Sequence, residues 1–383
     1  MAGAYITGMG LACTLDNDVV GSLSALHHRK IPIRPLQLTE LTEPLTVPFY
    51  RIEDGSELFD ASRFERVLAP VVQQAVAEAG LSIAEIRRLP VFVGSSCFSI
   101  GLSESVYAEA LQQHPENAVP MPVCNYQLIV SHVQRALGCA GDTYTYNTAC
   151  TSSANALLHA VRMLELSWYP HALVVGAELA NRTTLTGFAG LQLIARAMRP
   201  FDAQRSGLVL GEGIGAMILS RQVKGVHDLR IHSSASNCDT YSITTANPDG
   251  HSVASVLNQA LQRARLQPQQ ICGIKAHGTA TPAGDMAEAL GLREVFSELP
   301  PVTALKAYLG HTLGACSVVE LALYAAALRA GFQPAAAGFE TSDPVLGLHP
   351  LISEVEARPG YYLFNQFGFG GNNTVLVLEK ISA

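Results

Sequence analysis

The chain has 383 residues, 48% hydrophobic and 15% charged, with a net charge of −7. That apolar content suffices for a large buried core and excludes a disordered chain, and the acidic balance lacks the basic excess of a nucleic-acid binder. The eight cysteines (Cys13, Cys97, Cys124, Cys139, Cys150, Cys238, Cys272 and Cys316) form no CxxC pair, so free thiols in a reducing cytoplasm are expected rather than zinc or thioredoxin-like chemistry.

The opening MAGAYITGMGLAC has no basic leader and turns polar at Asp16 to Asp18, so Tyr5–Thr7 reads as a first strand and not as part of a signal peptide. A helix is expected over Arg63–Ala79, a strand over Val91–Val93, and helices over Glu104–Gln113 and Cys124–Leu137. The strand Thr143–Asn147 runs into a helix over Ser153–Leu166, and strands follow at Ala172–Val175, Ala216–Leu219 and Leu229–His232. The remainder reads as a helix Ser252–Ala264, a strand Gly273–Ala276, helices Asp285–Phe296 and Ala315–Ala330, and strands Tyr361–Phe364 and Thr374–Leu378. This alternation is an α/β pattern. The longest apolar run, Val318–Leu328, is interrupted by Glu320 and is too short to span a membrane.

A weak repeat runs through these elements. VFVGSS, YTYNTACTSSANAL, ALVVGAE and GAMILS are matched in order by CGIKAHGT, TALKAYLGHTLGACSVVEL, YYLFNQFGFG and NTVLVLE. Two copies of one α/β unit are therefore expected in one compact body with a pseudo-two-fold axis. The halves are residues 1–224 and 225–383, joined in the polar stretch Arg221 to Asp228.

Four local sequences can carry chemistry. Cys150 sits in NTACTSS, between a strand and a helix, where a thiol is lifted from the sheet and faces the positive end of the helix dipole. Taken alone, such a cysteine reads more readily as a small core residue. His277 ends a strand in AHGTATPAGDMAE, Lys306 and His311 share LKAYLGHTLGAC, and Phe369 lies in the glycine-rich NQFGFGGNN. Strand ends of a parallel sheet converge on one edge, so a thiol, two imidazoles and a lysine can meet between the halves. A thiolate can accept an acyl group from a thioester, and two neutral imidazoles can stabilise an enolate formed by loss of CO₂. A lysine beside them tunes their charge state.

The ordered set TACTSS, HGTATPAGDMAE, K-x-x-x-x-H-x-x-G, RPFDAQRSGLVLGEG and FGFGG resembles the β-ketoacyl-[acyl-carrier-protein] synthase family, of the elongating type with a Cys-His-His centre. The resemblance covers essentially the whole chain. It implies a thiolase fold, two pseudo-symmetric α/β halves in a layered α-β-α-β-α arrangement, in a cytoplasmic protein with no cofactor or metal of its own. It implies a homodimer, or a heterodimer with a related ketosynthase subunit, acting on acyl chains carried by the phosphopantetheine of acyl carrier protein. By the same resemblance Cys150 is the acylated nucleophile, and His277 and His311 hold the malonyl thioester oxygen during decarboxylation. Lys306 is the electrostatic lysine with Glu288 as its partner, Thr279 and Thr281 contact the pantetheine arm, and Phe369 is the gate. The backbone N–H groups of Cys150 and Phe369 form the acyl oxyanion hole. The implied reaction is decarboxylative condensation of an acyl thioester with malonyl-acyl carrier protein. The alternative is a chain-length-determining partner subunit with little condensing activity.

Further residues are singled out on the same basis. Ser103 falls near Gly101-Leu102, where family members often carry an aliphatic limit to the acyl tunnel, and a serine there deepens the pocket if the loop register holds. Docking of an acidic carrier protein needs a local basic patch. Arg63 and Arg66, one helical turn apart, and Arg199 and Arg205, near the entrance motif, are the candidates, against the plainer reading of solvated charges. The chain departs from the family pattern at Ala307, at Tyr308, which is bulky near the centre, and at Gln366, where a serine is common. It is also shorter than usual before Cys150. These departures fit a specialised polyketide or polyene pathway at least as well as housekeeping fatty-acid synthesis.

Overall fold

The computed structural model describes residues 3–39, 44–60, 62–120, 127–222 and 229–381. Cys124 and most of the expected join at Arg221 to Asp228 lie outside them. The ten strands of the main sheet are β1 (Ala4–Cys13), β2 (Val91–Gly94), β3 (Thr143–Tyr146), β4 (His171–Glu178) and β5 (Gly213–Ser220), then β6 (Leu229–Cys238), β7 (Ile271–Lys275), β8 (Val302–Thr303), β9 (Gly360–Phe367) and β10 (Asn372–Lys380). Their order is β8-β7-β9-β10-β6-β1-β5-β4-β2-β3. Read outward from the centre, each set of five runs first, fifth, fourth, second, third. The pairing senses also match: β2 is parallel to β3 and β4 as β7 is to β8 and β9, and the remaining pairs within each set are antiparallel. Among the described residues the two sets pair at Ala4 opposite Ile231 and Tyr5 opposite Arg230.

The main helices are α1 (Arg63–Ala79), α2 (Phe98–Gln113), α3 (Gln127–Leu137), α4 (Ser152–Glu165), α5 (Arg182–Gly190), α6 (His251–Ala264), α7 (Pro282–Val295) and α8 (Cys316–Arg329). A strand sends alternate side chains to opposite faces, and here both faces are buried. Leu173, Val175 and Ala177 of β4 join the core under α1 and α3, while Ala172 and Val174 join a central core. Likewise Leu363 of β9 faces the core under α6, and Tyr362 and Phe364 face the centre. Helices α4 and α8 fill that centre, with Tyr324 of α8 edge-on to Tyr362. The layers are thus α-β-α-β-α. Helix α8 is buried from Cys316 to Leu328, all the way round, as a helix between the two five-stranded sets must be.

The expected strands and helices all occur, with shifted ends. The first strand runs on to Cys13, through two glycines that break its alternation. A Cβ at Gly8 would lie 2.0 Å from the Ala75 carbonyl oxygen and one at Gly10 1.9 Å from that of Val71, so these glycines let α1 pack directly on the strand. Helix α2 starts earlier than expected, at Phe98. A helix over Val19–His27, capped by Asp18, a hairpin pairing Arg34–Leu38 with Leu45–Phe49, and α5 have no counterpart among the expected elements. Among the described residues no helix is long and apolar enough to cross a membrane.

Candidate active site

Cys150 lies on the turn between β3 and α4. Ala149 takes a left-handed φ of 52°, a conformation costly for any side chain and held here because Ser152 Oγ accepts Thr148 N–H at 3.0 Å and donates to the Ala149 carbonyl at 2.6 Å. The thiol is only 6% exposed. Burial pushes its pKa above the ordinary value, although the backbone N–H groups of Phe369 and Cys150 and the Lys306 ammonium pull the other way. The helix terminus was expected to favour thiolate; desolvation outweighs it, and the resting group is a thiol.

His277 follows β7, held by its backbone. Glu288 of α7 accepts His277 N–H at 2.8 Å and Gly278 N–H at 2.9 Å, and takes Asn365 Nδ2 at 3.1 Å. His311 follows a short helical turn, Lys306–Leu309, and pairs with Leu210 in an isolated bridge. The two rings stand edge to face, with centroids 5.6 Å apart. His311 Nδ1 accepts Leu313 N–H at 3.2 Å, which leaves the proton on Nε2. Burial and then the Lys306 charge hold both imidazoles well below their usual pKa, so both are neutral at pH 7.

Lys306 sits behind His277. Its Nζ donates to the His277 carbonyl at 2.8 Å and to Glu320 Oε1 at 2.6 Å. The expected pairing with Glu288 is therefore wrong: Glu288 is spent on backbone amides, and the acidic partner is Glu320, the single charge inside the apolar run of α8. That isolated charge was the signal in the sequence, since an ionised group survives in a core helix only when paired. Glu320 Oε2 also takes Lys275 Nζ, and burial lowers Lys275 to about 8. Gln366, Lys275 and Cys316 likewise belong to this cluster and were not expected there. Cys316 opens α8 and its Sγ donates to the Cys150 carbonyl at 3.1 Å.

Cys150, His277, His311, Thr279, Thr281 and Phe369 line one cavity of about 250 Å³. The Thr279 and Thr281 hydroxyls are 2.8 Å apart. Phe369 stacks on Phe188 of α5 with centroids at 5.8 Å. The loop beyond it is pinned to the nucleophile turn by Asn372 Oδ1, which accepts Thr151 Oγ1 and Asn155 Nδ2, each at 2.7 Å. Ser103 is buried on α2 and is not among the residues lining this cavity. Tyr308 turns away from the centre and donates its hydroxyl to the Ala335 carbonyl at 3.0 Å.

Of the four expected docking arginines, Arg63 is overturned outright. It is fully buried, gripping Glu212 with both Nη atoms at 2.5 and 2.8 Å and Asp54 with Nε at 2.9 Å, and has no surface to offer. Arg205 is 7% exposed and paired with Asp343 at 2.7 Å. Arg66 and Arg199 do reach solvent, paired with Asp60 at 2.7 Å and Glu340 at 2.9 Å.

A buried thiol that can take an acyl group, facing neutral imidazoles across a cavity at the seam of two alike α/β halves, marks an acyl-transferring thiol enzyme. Comparison places it more closely. The β-ketoacyl synthase N-terminal domain model matches residues 47–224 and the C-terminal domain model residues 229–340, and the chain belongs to that family. It is 26% identical to the 3-oxoacyl-[acyl-carrier-protein] synthase 2 of Vibrio cholerae over 98% of each chain. It is 27% identical to that of Staphylococcus aureus, over 99% of this chain and 98% of the relative. Among solved structures it superposes on a ketosynthase (ApeO) in complex with its chain length factor (ApeC) from Xenorhabdus doucetiae, with a TM-score of 0.85, 25% identity and coverage of 99% of this chain and 98% of that one. A β-ketoacyl synthase from Burkholderia phymatum gives a TM-score of 0.85 at 24% identity, over all of both chains.

Proposed function

We propose that this protein is an elongating ketosynthase, condensing an acyl group held on Cys150 with a malonyl group delivered by acyl carrier protein. The observation that carries the reading is the meeting of Cys150, His277 and His311 in one cavity. Residues 1–224 supply the nucleophile, and residues 225–383 the histidines, the lysine and the gate loop. In the first step Cys150 Sγ attacks the acyl thioester, whose carbonyl oxygen lies against the Cys150 and Phe369 N–H groups, and the carrier's pantetheine thiol departs. In the second, His311 and His277 face the malonyl thioester, CO₂ leaves, the enolate carbon attacks the acyl carbonyl on Cys150, and the bond from that carbonyl to Cys150 Sγ breaks, returning the thiolate and leaving the β-ketoacyl chain on the carrier. Burial, and then the Lys306 charge, keep both imidazoles neutral. Thr279 and Thr281 line the path of the phosphopantetheine, and Phe369 gates it. No bound cofactor is needed, since the substrates arrive on the carrier, and a free-thiol chemistry suits the cytoplasm.

The similarity to a ketosynthase–chain length factor complex supports a second reading, a partner subunit of a heterodimeric ketosynthase with little condensing activity of its own. One experiment separates the two. The purified protein is incubated with acyl- and malonyl-carrier proteins of graded chain length and weighed intact. The first reading expects one acyl mass on Cys150, none on Cys150→Ala, and an acylated His311→Ala that no longer releases CO₂ from the malonyl carrier. No acylation at any chain length gives the partner-subunit reading.

A further inference from the structure

Gln366 lies one residue before the end of β9, fully buried, with three side-chain neighbours and no part in the steps above. Its Nε2 donates to Glu320 Oε2 at 3.3 Å. Its Oε1 lies 3.3 Å from Cys316 Sγ, whose one proton goes to the nearer Cys150 carbonyl, and faces His277 Nδ1 at 2.8 Å. The amide has one orientation. Two lysines hold Glu320 ionised, so it must receive a donor from Gln366, and turning the amide over would set oxygen against oxygen. With Oε1 aimed at His277, Nδ1 has to donate. Lys306 Nζ is 3.2 Å from the same nitrogen, but one ring nitrogen holds either a proton or a lone pair, and Lys306 has nearer acceptors in Glu320 Oε1 at 2.6 Å and the His277 carbonyl at 2.8 Å.

We infer that Gln366 is a positioning residue that holds His277 as the Nδ1–H tautomer, its Nε2 lone pair free, opposite to the Nε2–H tautomer that the Leu313 amide imposes on His311. This rests on the ketosynthase reading of the site and divides the labour of the two rings within it. His311 donates a hydrogen bond to the thioester oxygen. His277 accepts a proton. During acylation the Cys150 Sγ–H proton passes to His277 Nε2 as the Sγ–carbonyl bond forms. The bond from that carbonyl to the pantetheine sulfur breaks, and the same proton passes from His277 Nε2 to the departing sulfur. An acceptor is needed because burial keeps Cys150 a thiol, and the imidazole can serve because it is neutral. The cavity lining places both side chains on the same enclosed space.

The test is nitrogen-15 NMR of the full-length protein labelled at histidine, with His277 and His311 signals assigned by substitution of each. The native protein is expected to show His277 protonated at Nδ1 and bare at Nε2, and His311 the reverse. Gln366→Met keeps the length of the side chain and removes the acceptor. Lys306 then donates to Nδ1, so the His277 pattern inverts while that of His311 stays. Single-turnover acylation of Cys150 then slows about ten- to a hundredfold, the scale of losing the outer hydrogen-bond partner of a working histidine. A native spectrum with both rings protonated at Nε2 overturns the inference without any variant, as does an unchanged His277 pattern in Gln366→Met. The function reading fails differently, through a native protein that never acylates Cys150 whatever the spectrum shows.

Discussion

Lys306 and Glu320 are joined across 2.6 Å with both side chains out of reach of water, and the same carboxylate also takes Lys275. Two buried ammonium groups therefore share a single negative charge behind His277.

Glu320→Gln leaves two lysines in the core without an anion. Removing one partner of a buried pair costs about 3–5 kcal/mol, because the remaining charge stays desolvated. A clear fall in the thermal midpoint is expected, partly restored when Lys275→Met is added and one of the stranded charges is gone. An unchanged midpoint would show that the cluster is not ionised as described.

Glu288→Ala strips the acceptor from two adjacent backbone amides, His277 N–H and Gly278 N–H. Each buried donor left unpaired costs about 1–3 kcal/mol. Denaturant unfolding should register the loss, and steady-state condensation should slow as His277 shifts. A variant as stable as the native protein would remove Glu288 from this role.

Arg63 and Arg66 should part company. Arg63→Ala leaves the buried Glu212 carboxylate without its counter-ion and takes the guanidinium from half-buried Asp54, with an expected loss of about 3–5 kcal/mol. Arg66→Ala breaks an exposed pair with Asp60 and should cost no more than about 1 kcal/mol. Urea midpoints measured side by side decide it, and equal midpoints would contradict the burial of Arg63.

Gly371→Ala tests the loop that carries Phe369. Gly371 has φ +76°, and a Cβ there would lie 1.7 Å from the Asp239 carbonyl oxygen. The loop must move, at a cost of about 1–3 kcal/mol for the backbone strain alone. Acylation of Cys150 should fall with it, since the Phe369 N–H bears on the thiol. Native acylation kinetics in this variant would mean that the loop geometry is not needed for acyl transfer.

Lys275 gives a pH signature. Its folded pKa, about 8, lies below the ordinary 10.5, so between those values the unfolded chain binds the extra proton. Stability contributed through this group therefore rises as pH climbs from about 8 toward 10.5, and is lowest below 8, where burying the charge is costly. The unfolding free energy of the native protein should gain on that of Lys275→Met across this window. A flat difference would place the titration elsewhere.

Much of this was legible in the sequence, and what was legible was local. Period-two and period-3.6 patterns located the strands and long helices within a few residues, because each pattern reports which face of one element is buried. Cys150 and His277 stood out because each lies where a strand ends, and Lys306 and His311 because they share one short segment after the next strand. Helix α5, bearing Phe188, escaped notice because RTTLTGFAG has a weak apolar stripe; only its packing over Phe369 makes it part of the site.

By itself, then, the sequence determined the α/β alternation, the two-fold repeat and the identity of the groups that could react. It did not determine their partners. Glu288 and Glu320 lie on either side of Lys306 along the chain, and both are helical acids; only the insertion of α8 between the two five-stranded sets brings Glu320 to the lysine and leaves Glu288 under the His277 backbone. Arg63 looked like a surface charge until α1 settled on β1 and β5 and closed over it. Gln366 acquires its meaning only where β9, β7 and α8 meet. Periodicity tells a side chain which way to face, whereas hydrogen bonds and ion pairs span a few ångströms, and which residues come that close is fixed only when separate elements pack.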